Sequence, residues 1–280
     1  MIQRMLSKAK EIFDNHIHID YYESTEKDGV LANVRSFAVF DYLEKILKSG
    51  EDGYAINSGI LCAADFGAPQ KRNRFVIIGI RKNISDVVYL PRKKIKDGNY
   101  KTVYDAISDL EDITPVYNIS DDKEGILLKH NIQLSPLAKQ LRDSDVLKNH
   151  IITKTTDVAM KRFEALNQGE NFHSLKDSLK NNTYTDVKRT QNTIYLRLKY
   201  NEPSGTVTNV RKSMWIHPVL NRALSIREAA RLQTFPDSFV FCGSKDKQYQ
   251  QVGNAVPPFL AKAIAKQLAY TLGKKLRHDK

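Results

Sequence analysis

The chain has 280 residues, with 44 Lys and Arg against 32 Asp and Glu, so its formal net charge is +12 and its sequence pI is about 9.5. Hydrophobic residues make up 41% and charged residues 27%, a balance that is typical of a folded globular chain and excludes wholesale disorder. Apolar runs such as Phe75–Ile78 are far shorter than the ~20 residues of a membrane helix. Met1–Asp20 mixes charges throughout, unlike a secretory signal peptide. We therefore expect a cytoplasmic protein of one large domain or two smaller ones.

The cysteine count and the charge narrow the classes of site and partner. Cys62 and Cys242 are too few for a disulfide framework or a four-cysteine zinc site, so we expect no metal site. A sequence pI of about 9.5 favours a polyanion as partner. Charge alone does not separate a nucleic-acid-binding protein from a basic protein without such a partner.

The first third of the chain predicts part of an α/β sheet. Apolar residues at three- and four-residue steps predict a helix over Asn33–Ser49. Tyr54–Leu61 is typical of a strand, and Arg74–Ile80 of a strand buried on both faces, because it is apolar without alternation. The loop Cys62–Asn73 joins them. One helix and two strands cannot bury such a strand, which indicates that more sheet is needed to complete the structure.

From Asn83 to Arg211 the periodicity weakens. Thr102–Asp105 is expected to cap a short helix that runs through Leu110. Polar, threonine-rich stretches over Asn181–Thr193 and Thr206–Asn209 predict short strands and loops. We interpret this region as a small second domain of mixed, largely β structure.

The last seventy residues contain clear helix signals. Ser225–Glu228 is a capping box, which predicts a helix through Gln233. Asn254 precedes Ala255–Pro258, where prolines fit the first turn of a second helix. Gly273, followed by two lysines, is expected to end that helix.

Glycine placement excludes one kind of cofactor site. The chain has 13 glycines and no two of them form a G-x-G pair, so the glycine-rich turn of Rossmann-like folds is absent. The G-x-x-x-x-G-K-[ST] phosphate loop is absent as well. A nucleotide or nucleoside cofactor would therefore have to be held in another way, or by another polypeptide.

Three segments, in order, resemble the C-terminal motifs of the C5 cytosine DNA methyltransferases. Ala63–Arg74 (AADFGAPQKRNR) resembles motif VIII with its Q-x-R-x-R core, Asn221–Phe239 (NRALSIREAARLQTFPDSF) resembles motif IX, and Gln251–Pro258 (QVGNAVPP) resembles motif X. The resemblance covers most of the chain from about Asn33 onward. It implies an α/β fold: the C-terminal part of a Rossmann-like AdoMet-dependent methyltransferase sheet plus a small target-recognition domain. The implied boundaries are 1–82 for the partial catalytic domain, 83–211 for the target-recognition domain, and 212–280 for motifs IX and X.

The departures from the family pattern are as informative as the matches. No proline precedes a cysteine, so the Pro-Cys nucleophile motif is absent, and so is the Glu-Asn-Val motif that protonates the cytosine. Ala32–Val34 is either a relic of the second motif or the start of the helix before motif VIII. The resemblance therefore implies S-adenosyl-L-methionine as a cofactor bound mainly by a partner subunit that carries motifs I–VI.

The resemblance also assigns roles to individual residues. Arg74 is expected to contact the O2 edge of a flipped cytosine, and Arg72 the DNA phosphates and the catalytic carboxylate. Gln70 would orient the loop beside the DNA. Asn254 and Ala255 would line the AdoMet pocket, although Asn254 could instead only cap the terminal helix. Further residues expected to contact double-stranded DNA are Thr206, Val207, Thr208, Arg189 and Arg197.

For other basic residues a structural role competes with DNA binding. The motif VIII arginines could pair with surface carboxylates instead. Arg227 and Arg231, one helical turn apart, are expected to brace the recognition domain rather than touch DNA. The lysines of the basic run at Lys93, Lys94 and Lys96 would attract phosphates, or they form a solvated loop.

These observations lead to one functional hypothesis and two alternatives. The hypothesis is the C-terminal subunit of a split DNA (cytosine-5-)-methyltransferase in a restriction–modification system, inactive as an isolated chain. The first alternative is an inactive remnant that at most binds DNA. The second is an autonomous RNA- or DNA-binding module, which would require the motif VIII match to be coincidental.

Overall fold

A computed structural model describes residues 18–25, 29–35, 39–49, 53–96, 98–130, 132–180 and 190–278 of the chain. The strands are β1 His18–Thr25, β2 Gly29–Arg35, β3 Tyr54–Cys62, β4 Asn73–Arg81, β5 Ile126–Leu127 and β6 Val146–Leu147. The α-helices are α1 Val39–Lys48, α2 Val103–Ile107, α3 Pro136–Leu141, α4 Asp157–Glu164, α5 Asp177–Lys180, α6 Val210–Ser213, α7 Ile226–Leu232, α8 Lys245–Asn254 and α9 Pro258–His278. Along these residues no helix is both long and apolar enough to cross a bilayer.

The described structure divides into two compact units. The first comprises residues 1–58, 77–89 and 271–280, and the second comprises residues 59–76 and 90–270. These divisions differ from the boundaries predicted at residues 82 and 211. The assignment of 83–211 to target recognition stays a prediction.

In the first unit, β1 and β2 form an antiparallel pair. Asn33 pairs with Tyr21 and Val34 with Ile19 in this sheet. The predicted helix over Asn33–Ser49 is therefore wrong at its start, since helix α1 begins only at Val39. Strand pairing of Ala32–Val34 overrides the helical period that the later apolar residues suggested, so this tripeptide does not start a helix.

Strands β3 and β4 confirm the two strands expected around the motif VIII loop. Ala63 N donates to Arg72 O at 2.9 Å, and Lys82 N donates to Gly53 O at 3.0 Å, so the strands run antiparallel. This register places Ile60 opposite Phe75. Ile60 is 70% exposed and Phe75 is 53% exposed. The prediction that β4 is buried on both faces is wrong for the described residues, because its burial alternates along the strand.

The core of the second unit joins the middle and the end of the chain. Trp215 is fully buried, together with residues of α2, α7 and α8. Apolar side chains from both sides of residue 211 thus share one hydrophobic cluster. A smaller cluster of Leu110, Leu128 and Leu147 lies wholly within residues 83–211. A second cluster contains Phe163, Phe172 and Tyr195. Burial of such aromatic side chains stabilises the unit by roughly 1.5–3 kcal/mol each.

Between residues 83 and 211 the described structure is helical and irregular rather than largely β. Its named strands are the two-residue β5 and β6. The helix predicted after Thr102 is confirmed, since Thr102 and Asp105 form a capping box and α2 continues as a 3₁₀ turn to Leu110. Most of the predicted stretch Asn181–Thr193 lies outside the described residues, while Thr206–Asn209 forms a loop rather than a strand.

The C-terminal helices confirm some signals and extend others. The Ser225–Glu228 capping box opens α7 as predicted. Helix α8 was not predicted, and its last residue is Asn254. Helix α9 begins at Pro258 and continues past Gly273 to His278, so the predicted stop is wrong. A glycine within a helix costs only about 1 kcal/mol, which is not enough to end it.

A buried polar network lies behind α7. The Glu228 carboxylate accepts two hydrogen bonds from the Arg222 guanidinium, at 2.8 and 2.6 Å, and one from Ser225 N at 2.8 Å. Burial raises the pKa of Glu228, but the charge and hydrogen bonds of Arg222 outweigh burial and hold that pKa far below its usual range. His217 lies 3.8 Å from the same carboxylate. Its Nδ1 accepts hydrogen bonds from the backbone amides of Val219 and Leu220, which fixes the proton of the neutral ring on Nε2.

This network predicts a loss of stability on acidification. Burial lowers the pKa of His217 to about 4, although Glu228 opposes the shift. Folding keeps the His217 ring neutral, so its contribution to the free energy of unfolding is fully present above the unfolded pKa of about 6.5. That contribution is lost as the pH falls from there through about 4. We expect the free energy of unfolding to fall by roughly 2 kcal/mol between about pH 7 and about pH 5 from His217 alone. Denaturant unfolding at the two pH values measures it.

The control is His130, whose side chain is exposed. His130→Gln should keep the full pH dependence, whereas His217→Asn should remove the His217 part of it. An equal pH dependence in His217→Asn and in the unaltered chain would contradict the assignment.

Candidate functional site

The motif VIII loop leaves β3 through a tight turn. Ala63–Phe66 form one 3₁₀ turn, and Gly67 ends it in the left-handed conformation with φ of 97°. A side chain at Gly67 would be strained by that φ, and its Cβ would also touch Phe259 of α9 at 3.5 Å. The turn directs the chain back so that Gln70–Arg72 run beside residues 204–207.

Gln70 is completely buried and joins three segments of the chain. Its Oε1 accepts a hydrogen bond from Val207 N at 2.7 Å, and its Nε2 donates to Leu232 O at the end of α7 at 3.4 Å. Its backbone forms a parallel bridge with Ser204. Gln70 therefore holds the loop, while its amide faces the interior and does not present itself to a DNA duplex.

Arg72 is the second buried tie of the loop, with 1% of its surface exposed. Its guanidinium donates to Val207 O and, at 2.8 Å, to Gly253 O in α8. Burial, and secondly the charge of Arg74, lower the pKa of Arg72 to about 10. The DNA phosphate contact predicted for Arg72 does not agree with this position, because the group is enclosed by backbone carbonyls. Among the described residues, Arg72 has no ion pair with a surface carboxylate, the alternative that the sequence left open.

The tie through Gly253 depends on a close approach of two backbones. A Cβ at Gly253 would lie 2.7 Å from the carbonyl carbon and oxygen of Thr208. Glycine is thus required where α8 meets the segment 206–209. Four segments meet at this point: motifs VIII, IX and X, and the threonine segment, which is Thr206–Thr208. We call this meeting point the Gln70–Arg72 hub.

Arg74 differs from Arg72 in its exposure. It is half-buried, and within the described structure its one hydrogen bond joins Nη1 to Asn73 O at 2.8 Å. Its remaining guanidinium nitrogens can therefore donate to another molecule. Arg72 and Arg74 are two residues apart, a spacing that would place them on the same face of a regular strand. Strand β4 begins only at Asn73, so Arg72 belongs to the preceding loop and points towards the carbonyls of Val207 and Gly253.

The three residues of the segment Thr206–Thr208 differ in their exposure to solvent. Thr206 is half-buried and donates through Oγ1 to Lys71 O at 3.2 Å, and Thr208 is exposed. Val207 is completely buried, so the DNA contact predicted for its side chain does not agree with its position. Thr206 and Thr208 are the members of this segment that reach the surface.

Arg197 is buried inside the protein, so its position does not agree with the DNA contact that was predicted for it. Its guanidinium is buried and donates to Leu166 O at 2.7 Å, to His217 O at 2.9 Å and to Phe163 O at 2.6 Å. An arginine that satisfies carbonyls inside the unit holds the surrounding loops together. Arg189 lies outside the described residues.

The motif X residues lie at the C-terminal end of α8. Asn254 is exposed and accepts a hydrogen bond from Gln250 Nε2 at 3.0 Å, and Ala255 is half-buried. Asn254 does not cap the terminal helix. The cap was missed by the sequence analysis: Thr234 Oγ1 accepts from Phe259 N at 3.1 Å. The signal that could have indicated it is a threonine directly before the Phe235-Pro236 helix stop.

Arg227 and Arg231 lie in the interior, as the bracing interpretation expects. Arg231 pairs with Asp237 at 2.6 Å and with Asp109 at 2.5 Å. Arg227 donates to Lys148 O at 2.8 Å and Phe239 O at 2.7 Å. The two guanidinium groups thus fasten α7 to segments of the predicted recognition domain.

The lysines of the basic run and the two cysteines lie outside the hub. Lys93 lies 3.0 Å from the Asp65 carboxylate and close to the ring of Tyr100. Lys94 and Lys96 are exposed. Among the described residues, no group of histidine, cysteine or acidic side chains could hold a metal ion. Cys62 is half-buried and Cys242 is exposed.

Comparisons with known proteins point to one protein family. The model of the C-5 cytosine-specific DNA methylase family matches residues 30–270. The type II methyltransferase M.DdeI of Desulfomicrobium norvegicum is 29% identical over 78% of this chain and 55% of its own length. M1.HphI of Haemophilus parahaemolyticus is 33% identical over 76% of this chain and 47% of its own length. The chain spans about half the length of the curated relatives it matches.

One solved structure supports the same fold. It is a putative DNA modification methyltransferase encoded within a prophage of E. coli, 28% identical in sequence, with a TM-score of 0.58. The match covers 79% of this chain and 61% of that protein. Our chain therefore shares a substantial part of the fold of a methyltransferase.

The hub generates a stability prediction. Gly253→Ala should lower the free energy of unfolding by roughly 1–3 kcal/mol, because the added methyl group must displace the Thr208 backbone. Gly273→Ala is the matched control, since a Cβ there meets no atom within 4 Å. It should leave stability unchanged or raise it by about 0.5–1 kcal/mol. Denaturant unfolding of both variants measures the difference, and equal stability of Gly253→Ala and the unaltered chain would refute the close approach.

Proposed function

The chain belongs to the C-5 cytosine-specific DNA methylase family, and from this premise we propose that it is the C-terminal part of a DNA (cytosine-5-)-methyltransferase. In this proposal it recognises double-stranded DNA and braces the active site. A complementary polypeptide with motifs I–VI supplies the nucleophile and most of the cofactor site. The setting is a cytoplasmic restriction–modification system. The observation that supports it most directly is the hub, which joins three motifs of the family while Arg74 stays accessible.

The chemistry explains why Arg74 is the residue with a catalytic role. Methylation of a cytosine ring at C5 needs a thiolate that adds to C6, and the ring then gains electron density. A guanidinium beside the O2 edge of the flipped base would stabilise that density more in the transition state than in the ground state. Arg74 has donor positions available for this contact, whereas Arg72 is buried and its two terminal nitrogens donate to carbonyls inside the protein.

The remaining contacts of this chain divide between DNA and cofactor. We propose that Thr206 and Thr208 contact the duplex, since both reach the surface beside the hub. Arg72 and Gln70 act as positioning residues for this segment. The exposed Asn254 amide and the adjacent Ala255 suit a small part of the wall around S-adenosyl-L-methionine, which supplies the methyl group from its sulfonium centre when bound. The chain has no G-x-G turn, so its residues fit only a minor share of that pocket.

The sheet provides a second argument for a complementary polypeptide. Ile60 on β3 is 70% exposed and lies on the face opposite the Leu61 side, where the hydrophobic cluster with Leu260 and Ala263 packs. A strand of a methyltransferase sheet is normally covered on both faces. We propose that the complementary polypeptide continues the sheet and covers Ile60.

A second function is favoured by the missing Pro-Cys motif: a DNA-binding protein without methyl transfer. In that case the flanking DNA of the gene would encode no polypeptide with Pro-Cys and Glu-Asn-Val motifs. Such a polypeptide, if encoded there, is the complement for the experiments that follow.

Methyl transfer tests the proposed function. The chain is mixed with labelled S-adenosyl-L-methionine and unmethylated duplex DNA, with and without the complement, and label on cytosine is counted. We expect transfer only in the mixture of both polypeptides. Arg74→Ala should lower kcat by about 10²–10³ with little change in DNA affinity, as for the loss of one transition-state donor.

Two controls accompany that measurement. Arg74→Lys keeps the charge without the planar fork and should recover part of the activity. Lys247→Ala, on the exposed side of α8, should keep full activity. Robust methyl transfer by the chain without the complement would overturn the proposed division of labour.

Ile60 gives a separate test of the sheet. Ile60→Asp should abolish or strongly weaken association with the complement, because an unpaired charge would be buried in the interface. The fold of the chain itself should be retained, since the residue is exposed. Val158→Asp, an exposed apolar residue of α4, is the matched control and should associate normally. Sedimentation of the mixtures measures association, and equal association of both variants would contradict the proposed interface.

A further inference from the structure

A cavity of about 330 Å³ opens in the second unit between the motif VIII turn, α3 and the start of α9. Four lysines line it: Lys94, Lys101, Lys262 and Lys266. No acidic side chain is among its lining residues, and none of the four ammonium groups has an ion pair or hydrogen bond with another described residue. The cavity lies outside the hub, and the proposed methyl transfer does not use it.

The position of these lysines is unfavourable in the absence of a bound anion. Lys262 and Lys266 are four residues apart on α9, and like charges at that spacing destabilise a helix. Lys262 also lies about one turn from the N-terminus of α9, where the helix dipole is positive, and the first turn contains no acidic residue. Lys94 and Lys101 add two more positive charges to the same cavity from other segments.

The cavity is also firmly held. Asp65 O accepts hydrogen bonds from the backbone amides of Lys94 and Ile95, each at 3.0 Å. Lys101 directly precedes the capping box of α2, and Phe259 is fixed by its hydrogen bond to Thr234. The backbone positions from which Lys94 and Lys101 enter the cavity are therefore fixed.

Size and chemistry identify the class of ligand. Small-molecule sites in proteins usually measure about 300–1,000 Å³, so the cavity exceeds what one small ion needs. Its apolar side chains include Phe66 and Phe259, which suit a sugar or a base beside an anionic group. Four ammonium groups attract phosphate and repel the sulfonium and ammonium groups of S-adenosyl-L-methionine.

We propose that this lysine cavity binds the phosphate group of a nucleotide or of a nucleic-acid backbone. A bound phosphate neutralises the charges of α9 and the two loops at once. A free nucleotide or pyrophosphate and a DNA phosphate share this chemistry. The second source rests on the proposed function, whereas the first is independent of it.

The test compares two double variants of the full chain. Lys262→Gln with Lys266→Gln removes half of the cavity charge. Lys161→Gln with Lys247→Gln makes the same change in net charge at exposed positions of α4 and α8. Calorimetric titration at low ionic strength uses pyrophosphate in one arm and duplex DNA in the other. Thermal unfolding with and without pyrophosphate reports stability.

We expect the cavity variant to bind pyrophosphate roughly tenfold more weakly than the unaltered chain, and the control variant to bind it normally. Without anion, the cavity variant should have the higher Tm because the repulsion on α9 is relieved. A DNA source requires weaker duplex binding with a salt slope reduced by about one to two in the cavity variant only. Loss of pyrophosphate binding with unchanged duplex binding assigns the site to a free phosphate ligand.

The proposal is overturned if the cavity variant and the unaltered chain bind both probes equally. A lower Tm of the anion-free cavity variant would also count against it, because the lysines would then stabilise the fold without a ligand. The pyrophosphate arm does not require methyl transfer, so failure of the proposed enzyme activity and failure of the phosphate site are separate results.

Discussion

The buried guanidinium of Arg72 is the interaction on which the candidate site depends. It enters the interior, where no carboxylate of the described residues pairs with it, and the carbonyls of Val207 and Gly253 hold it. A buried charge is costly unless it is hydrogen-bonded. The two carbonyls satisfy Nη1 and Nη2, while the buried Nε has no partner among the described residues, so loss of either carbonyl contact would leave still more of the charge unsatisfied. Gln70 fixes the same segment through Val207 N. Because both residues belong to one short loop, four distant parts of the chain are located relative to each other.

The hub determines which side chains remain for other molecules. Arg72 points inward from the loop before β4, whereas Arg74, the second residue of that strand, remains accessible. In the segment Thr206–Thr208, Val207 is buried while Thr206 and Thr208 reach the surface. Buried and accessible residues thus lie side by side within single motifs. The buried members hold the segment in place and so determine which neighbouring side chains reach the surface.

Charge is distributed inside the protein as well as over its surface. The guanidinium groups of Arg197, Arg227 and Arg231 are hydrogen-bonded or ion-paired to carbonyls and carboxylates inside the protein. The excess of basic residues is therefore a poor measure of the charge that a polyanion would meet. The exposed lysines around α9 make up a part of that excess which has no internal use, and this distinguishes them from the buried arginines.

The sequence by itself determined the local structure and the family resemblance. Capping boxes at Thr102 and Ser225 and the two strands around the motif VIII loop follow from short-range hydrogen bonds and hydrophobic period, which the sequence states directly. Only the tertiary structure decided that Arg72 and Arg197 point inward, that Thr234 caps α9, and that β4 has one exposed face in the described residues. An arginine in a motif has the same local propensities whether it faces solvent or carbonyls. Its direction depends on groups more than a hundred residues away, such as Gly253 for Arg72, whose positions no local pattern encodes.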